Sequence, residues 1–408
     1  MLLQDVSEGP ISLRVRWAIP PSGRPVEDVW VRLADERLVE VAPFSGQPID
    51  RELPDSVLVP AAANAHVHLE LSSSDSLRPT QPVRFSQWLD QMIAHRRNER
   101  SGDQDTMLRQ RWQAVGEGIE RCRKAGVTWV ADIVSSSSDM EQREGAPVSG
   151  IGFVECIGLV ESRIAEAERM LQWLPHSKMP TTVAGSCVGW SIGLSPHAPY
   201  SVHPRLFETV ILVARRHGLP VAMHLAESEE EMRLLRDGAG PLVDVLRKYD
   251  AWQPGVLPFP VDYAEYINAL SRARRSLLIH GNYLEPPHWD LLAVRRDRMA
   301  VVYCPRTHAS FTHRPYPLTQ MLAAGVRVLL GTDSLATNPD LNVWREVAFC
   351  HRHYPEIAPA RLLAMVTSDV WQWRGVTRLR KLDSLGPNEL AVFPLSDASD
   401  PWSFLELW

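Results

Sequence analysis

The stretch VPAAANAHVHLELSSS sets His66 and His68 one residue apart at the end of a short apolar run. In a strand, residues i and i+2 face the same side, so the two imidazoles would converge on one point beyond the strand's end. Such a point suits a metal ion. An H-x-H pair alone is weak evidence, because surface loops and half-buried strands also carry one. The rest of the chain decides. His197 in SPHAPYS, His224 in AMHLAES, His280 in LIHGN, Cys304-Pro305-Arg306, and Asp333 in LGTDS also stand where apolar runs end. Each has a plainer reading when taken singly: His224 or His280 as a hydrogen-bonded core histidine, Asp333 as a helix cap, Glu227 as a first-turn carboxylate at the positive end of a helix. Glu229 to Glu231 are read as first-turn carboxylates of that kind. Regular placement at run ends makes the plain readings of His66, His68, His224 and Asp333 jointly improbable and favours a metal site. His95, His176, His217, His288, His351 and His353 fall in helical or loop segments and receive no role.

Something must hold these residues at one place. From Leu58 onward, eight short apolar runs, LVPAA, VTWVADI, IGFVECI, WSIGLS, PVAMHL, SLLIHG, AVVYC and VRVLLGTD, are separated by longer segments. Several of those segments, among them FSQWLDQMIAHRRNER, LRQRWQAVGEGIERCRKAG, HPRLFETVILVARRHG and SEEEMRLLRDGAGPLVDVLRKY, repeat apolar residues near i, i+3, i+4 and i+7, which predicts helices. Strand then helix, eight times over, is the pattern of an α/β (β/α)8 TIM-like barrel, whose chemistry sits at the C-terminal ends of its strands. Before this region, ISLRVRWAI and VEDVWVRLADERLVEVAP alternate apolar and polar positions, as hairpin-like strands do. After Trp373, TRLRKLDSLGPNELAVFPL returns to that texture. The simplest assembly is a small β-sandwich domain built from both chain ends, 1–57 plus 375–408, beside a barrel of 58–374.

Composition narrows the class of partner. The 43 basic and 49 acidic residues give a formal charge of -6 with no long run of either sign, which disfavours nucleic acid or an anionic membrane surface. Five cysteines, Cys122, Cys156, Cys187, Cys304 and Cys350, are scattered and never form C-x-x-C, so a disulfide frame or thiolate zinc site is not expected. No apolar run reaches membrane-spanning length, and the N-terminal residues lack the pattern of a secretory leader. A cytoplasmic enzyme with a small-molecule substrate is the expectation.

NAHVHLELS, FSQWL, SPHAPYSV, HLAESEEE, CPRTHASF and GTDSLATNPDL together resemble the amidohydrolase superfamily, in its cytosine-deaminase and chlorohydrolase branch. Within that branch the resemblance is strongest to the S-adenosylhomocysteine and aminodeoxyfutalosine deaminases. It runs from about Leu58 to Leu341. The resemblance implies one divalent metal held by His66, His68, His224 and Asp333, usually zinc, with Fe²⁺ also compatible with such ligands. Binuclear relatives use a lysine at the end of strand four, and GWSIGLSPHAPY has none. Three departures lie outside the ligand set: Pro60-Ala61 where Pro-Gly is usual, Val67 where Thr is frequent, and SLGPNELAVF in the C-terminal segment.

The expected reaction is deamination of an amino-substituted N-heterocycle by a metal-activated water. Glu227, three residues after His224, would carry protons to the ring nitrogen and the departing amine; Asp333 would take the water's proton; His280 would orient the attacking oxygen. His197, Arg306 and His308 match positions the family uses near the substrate. Trp88 would wall an aromatic ring and Glu70 would bind a hydroxyl. Arg306 would suit a substrate carboxylate, favouring aminodeoxyfutalosine or S-adenosylhomocysteine over a free base. The alternatives are a non-deaminating hydrolysis, such as triazine dechlorination or cyclic-amide opening, and a silent metal-binding scaffold. The family resemblance is compatible with a homo-oligomer.

Overall fold

A computed structural model describes residues 2, 10–34, 37–100, 103–173, 189–253, 255–257, 261–376, 381–382, 385–386 and 389–408. His176 and Cys187 lie outside these. Four strands lead the chain: β1 (Ile11–Ala18), β2 (Val26–Ala34), β3 (Arg37–Pro43) and β4 (Arg51–Pro60). Eight more follow, each separated by helix or loop: β5 (Ala62–Val67), β6 (Val127–Val134), β7 (Ser149–Cys156), β8 (Trp190–Pro196), β9 (Val221–Leu225), β10 (Ser276–His280), β11 (Met299–Tyr303) and β12 (Val328–Leu330). These eight form one parallel sheet in sequence order, one strand for each apolar run.

The sheet closes on itself. Val67 bridges Asp333 in parallel, and the N–H groups of Thr332 and Asp333 both donate to the His66 carbonyl, at 3.1 and 3.0 Å. Closure brings two backbones into contact, and glycine permits it: a Cβ on Gly331 would lie 2.8 Å from both the Cβ and the N of His66. Seven of the eight strands send side chains into one buried cluster, including Ala63, Trp129, Phe153, Ala222, Leu277, Val302 and Leu329, which only a barrel lumen allows. On the eighth, β8, Gly193 leaves room for the Phe153 ring, which a Cβ would approach to 2.5 Å. The opposite strand faces pack against the helices in a second, larger core. The barrel is therefore filled below, and its polar residues gather at the mouth.

A second sheet joins the two chain ends. β13 (Leu390–Pro394) pairs antiparallel with β4, in the order β13-β4-β1-β2-β3. The first apolar run divides differently from the sequence expectation. Leu58 and Val59 belong to β4, and the barrel's first strand begins only at Ala62, so His66 lies within β5 rather than after it. The ladder to β6 shifts register between Asn64 and Val67. The tail SDASDPWSFLELW ends in a short 3-10 helix, Ser403–Leu407, whose Phe404 stacks on Phe393 at 5.6 Å between ring centres. Among the described residues, no helix is long and apolar enough to cross a membrane.

Candidate metal centre and catalytic cavity

Three strands deliver the expected metal ligands. His66 comes from β5, with His68 one residue past its end, His224 from β9, and Asp333 from the turn after β12. Ligand atoms of His66, His68 and His224 lie within 4.8 Å of one another, as do those of His66, His280 and Asp333. Asp333 Oδ1 stands 3.4 Å from His66 Nε2 and 3.6 Å from His68 Nε2. Both ring nitrogens of His66 are buried with no hydrogen-bond partner, an arrangement that costs free energy unless something else binds them. The donor set fits a divalent cation at that point. Burial holds His66 and His68 well below the ordinary histidine range and lowers His224 as well, so all three imidazoles stay neutral and keep a lone pair to give.

Outer contacts orient these groups. His224 Nδ1 lies 3.2 Å from the His197 carbonyl, which can only accept; the proton is therefore on Nδ1, and Nε2 carries the lone pair. The Thr337 hydroxyl donates to Asp333 Oδ2 at 3.1 Å, leaving Oδ1 toward the histidines. Ala226, His280 and Asp333 all have left-handed backbones, with φ of 56, 69 and 59°. Non-glycine residues pay for that conformation, and here it turns chain ends at the barrel mouth.

Glu227 follows β9 and stands beside this cluster. Its Oε1 is 3.3 Å from His280 Nε2. Burial, reinforced by the nearby Asp333, Glu231 and Glu230 carboxylates, pushes the Glu227 carboxyl well above the usual range. Its backbone is pinned twice: Glu227 N–H donates to Glu231 Oε2 at 3.0 Å, and Asn282 Nδ2 donates to the Glu227 carbonyl at 2.8 Å. Glu231 is more than a first-turn carboxylate. Fully buried, it also takes the Ala226 N–H on Oε1 at 2.9 Å, while Ser228 caps the same helix. The signal was in the sequence, in the S-x-x-E of SEEE, where the glutamate reaches back past the cap.

A cavity of about 540 Å³ opens over the cluster, lined by His68, Glu70, Trp88, Glu155, His197, His224, Glu227, His280 and Asp333 among others. Trp88 presents its ring there and donates its indole N–H to the Ala336 carbonyl at 3.2 Å. His197 Nδ1 meets the Ser201 oxygen at 2.6 Å, and the Ser201 hydroxyl donates to the Ala198 carbonyl. His197 Nε2 stands 3.8 Å from Glu155 Oε1 at the cavity wall. Glu70 is enclosed by Arg96, by Arg111 Nε at 3.9 Å and by the Ser135 hydroxyl at 2.6 Å. Burial alone would raise its carboxyl; the two arginines and the hydroxyl outweigh that and lower it.

Two expected substrate contacts lie elsewhere. Arg306 donates to Glu346 Oε1 at 2.6 Å and to both Asp340 oxygens, at 3.1 and 2.6 Å, so its planar donor fork is already filled by carboxylates. It does not line the cavity. His308 is packed among Tyr303, His313 and Tyr316, with ring centres 5.1 to 5.8 Å away, and likewise stays out of the lining. Conversely, Asp132 in β6 and Glu155 in β7 fall near the ends of the runs VTWVADI and IGFVECI, close enough for the strand-end rule to have reached both. Arg96, Arg111 and Arg143 carry no comparable sequence signal.

Comparison with known proteins agrees with this architecture. The Amidohydrolase family model matches residues 57–376. An aminodeoxyfutalosine deaminase of Deinococcus radiodurans is 30% identical over 324 residues, covering 76% of this chain and 71% of that protein. A 5-methylthioadenosine/S-adenosylhomocysteine deaminase of Moorella thermoacetica is 26% identical over 347 residues, 83% and 73% of the two chains. Among solved structures, the Helicobacter pylori aminofutalosine deaminase in complex with methylthio-coformycin superposes with a TM-score of 0.78 at 19% identity, covering 97% of this chain and 95% of the other.

Proposed function

We propose, on the premise that this chain is a member of the amidohydrolase family, that it is a zinc-dependent deaminase of an amino-substituted N-heterocycle. Its substrate is of the adenine-nucleoside kind, with aminodeoxyfutalosine and S-adenosylhomocysteine as the candidates. The observation that carries this reading is the Glu227–His280 pair at 3.3 Å, in one cavity with the candidate ligands His68, His224 and Asp333 and beside the buried His66. A cavity of about 540 Å³ is of the size that encloses a substituted nucleoside. The names of the relatives point the same way.

His66, His68, His224 and Asp333 would hold a divalent ion, which would supply Lewis-acid chemistry of the kind that lowers the pKa of water from about 16 to about 7. The chain's own residues do the rest. Glu227, kept protonated by burial, gives its proton to the ring nitrogen next to the carbon under attack. His280, neutral because it is buried, holds the attacking oxygen in line. Asp333 takes the proton that water loses. Glu227, ionised by the first transfer, collects the proton of the new C–OH group as it becomes the carbonyl and returns it to the amine as the carbon–nitrogen bond breaks. The proton on Asp333 then restores the protonated Glu227. Water and the aromatic amine are thereby converted to a carbonyl compound and ammonia. Trp88 walls the ring, and His197 meets the substrate at the cavity wall. Glu70, held by its two arginines, faces a substrate hydroxyl at the cavity wall.

The test is ammonia release by zinc-loaded protein from a panel of aminodeoxyfutalosine, S-adenosylhomocysteine, adenosine, guanine and cytosine. Turnover of a substituted nucleoside in preference to the free bases is the expected result. Silence across the panel with zinc bound would overturn the reading in favour of a non-deaminating hydrolysis on the same scaffold.

A further inference from the structure

His68 lies just beyond β5, in the peptide that leaves the barrel wall, and its position depends on what anchors the chain on either side. On one side Val67 is held by the barrel ladder, opposite Asp132 and Asp333. On the other, Leu69 N–H donates to Asp132 Oδ1 at 2.9 Å. The second oxygen of Asp132 is taken by Arg143, through Nε at 2.8 Å and through a further contact from Nη2. Arg143 also donates from Nη1 to the Asp139 carbonyl at 2.6 Å. Asp132 and Arg143 are both 0% exposed.

The same segment grips the turn a second time. Ser135 donates to Glu70, and Arg111 lies between Glu70 and Asp139, with Nη1 3.3 Å from Asp139 Oδ2. Leu69 and Glu70 are thus clasped from adjacent points by residues 132–143. A buried ion pair of this kind seldom adds stability over a well-packed apolar pair, because desolvating two charges offsets their attraction. Its geometry, however, fixes one rotamer of Asp132 and through it one orientation of the His68–Leu69 peptide.

We propose that Arg143 is a positioning residue for the metal centre: through Asp132 it sets the backbone that aims His68, and it governs how tightly the ion is held. This rests on the proposed metal site. Outer groups that orient a ligand contribute about 10–100-fold in metal affinity. Arg143 does not line the cavity, so the effect passes through its partners, chiefly Asp132 and the Leu69 N–H it orients.

The experiment is a competition titration of zinc against a chromophoric chelator, together with the visible spectrum of the Co²⁺-substituted protein, below the melting temperature. Arg143→Met is expected to weaken zinc binding about 10–100-fold and to change the Co²⁺ bands. Arg143→Lys, which keeps one charged donor for Asp132, is expected to recover part of both. Arg361→Met breaks an ion pair with Asp369 outside the cavity and serves as the control for general destabilisation; it should lower the melting temperature and leave metal affinity and spectrum unchanged. If Arg143→Met does not fold, the double variant Asp132→Ala/Arg143→Met removes both charges and the acceptor for Leu69 N–H, and the same loss of affinity is expected. Unchanged affinity and spectrum in the folded variants would overturn the inference. Failure of the unaltered protein to bind zinc would overturn the metal-site reading instead.

Discussion

Glu227 and His280 meet at 3.3 Å, from Oε1 to Nε2, with side chains only 8% and 4% exposed. They leave adjacent strands, β9 and β10, and each is tied to its neighbour: the Gly281 N–H donates to the Leu225 carbonyl at 3.0 Å and the Tyr283 N–H to that of Ala226. Burial holds the Glu227 proton more tightly and disfavours charging of the His280 imidazole, a pairing suited to proton transfer. Its placement over the histidine cluster is what makes a hydrolytic reaction the natural use of the cavity.

The cluster should bind metal as part of the native state. Stripping the protein with a chelator is expected to lower its melting temperature and abolish turnover, and zinc should restore both. Zinc at a thousandfold excess over its dissociation constant would add about 4 kcal/mol. A melting temperature indifferent to zinc would count against His66, His68, His224 and Asp333 as ligands.

The barrel seam makes a separate demand. Gly331→Ala sets a methyl 2.8 Å from the His66 Cβ and backbone N, and backbone cannot give way cheaply. Overpacking of this kind costs about 1–3 kcal/mol. Because the same contact carries His66, thermal melting and zinc titration should both be impaired. An unaltered variant would show that the seam is looser than its hydrogen bonds indicate.

Glu231 gives a pH dependence with a definite sign. Burial raises its carboxyl from 4.5 to about 7. The native state therefore binds more protons than the unfolded chain between those values. Its contribution to stability is fully present below pH 4.5, is lost as pH rises through 7, and totals roughly 3 kcal/mol. Denaturant unfolding at several pH values should show this slope in the unaltered protein and a smaller one in Glu231→Gln, the remainder coming from other buried carboxyls raised by burial, Glu227 and Asp132 among them. Equal slopes would contradict the assignment.

Arg306 tests a correction. Its guanidinium satisfies the wholly buried Glu346 as well as Asp340, so Arg306→Met should destabilise the fold by about 3–5 kcal/mol. Substrate preference among the surviving folded molecules should be unchanged, measured as kcat/KM ratios. A selective loss of carboxylate-bearing substrates would return Arg306 to the site.

Much of this was legible in the sequence because a parallel barrel writes itself plainly. Buried strands read as apolar runs, and whatever polar residue ends a run sits at the mouth, which is how His224, His280 and Asp333 could be found. Reading was poorest where position depends on side-chain direction. Arg306 and His308 follow β11 as the pattern asks, yet one turns to Asp340 and Glu346 and the other into an aromatic cluster, choices made by residues from distant segments. Glu70 was found while its partners were not, since Arg96 and Arg111 look like any exposed helix arginine until the helices are packed. The boundary at Ala62 was hidden for a related reason: LVPAA is one apolar run shared between two sheets.

The most direct test of the whole account is turnover by Glu227→Gln with its metal content verified. The amide keeps the shape and cannot carry the proton. Zinc should bind as in the unaltered protein while ammonia release from the preferred nucleoside falls about 10²–10⁴-fold. Full turnover with zinc in place would contradict proton transfer by Glu227, and with it the proposed reaction.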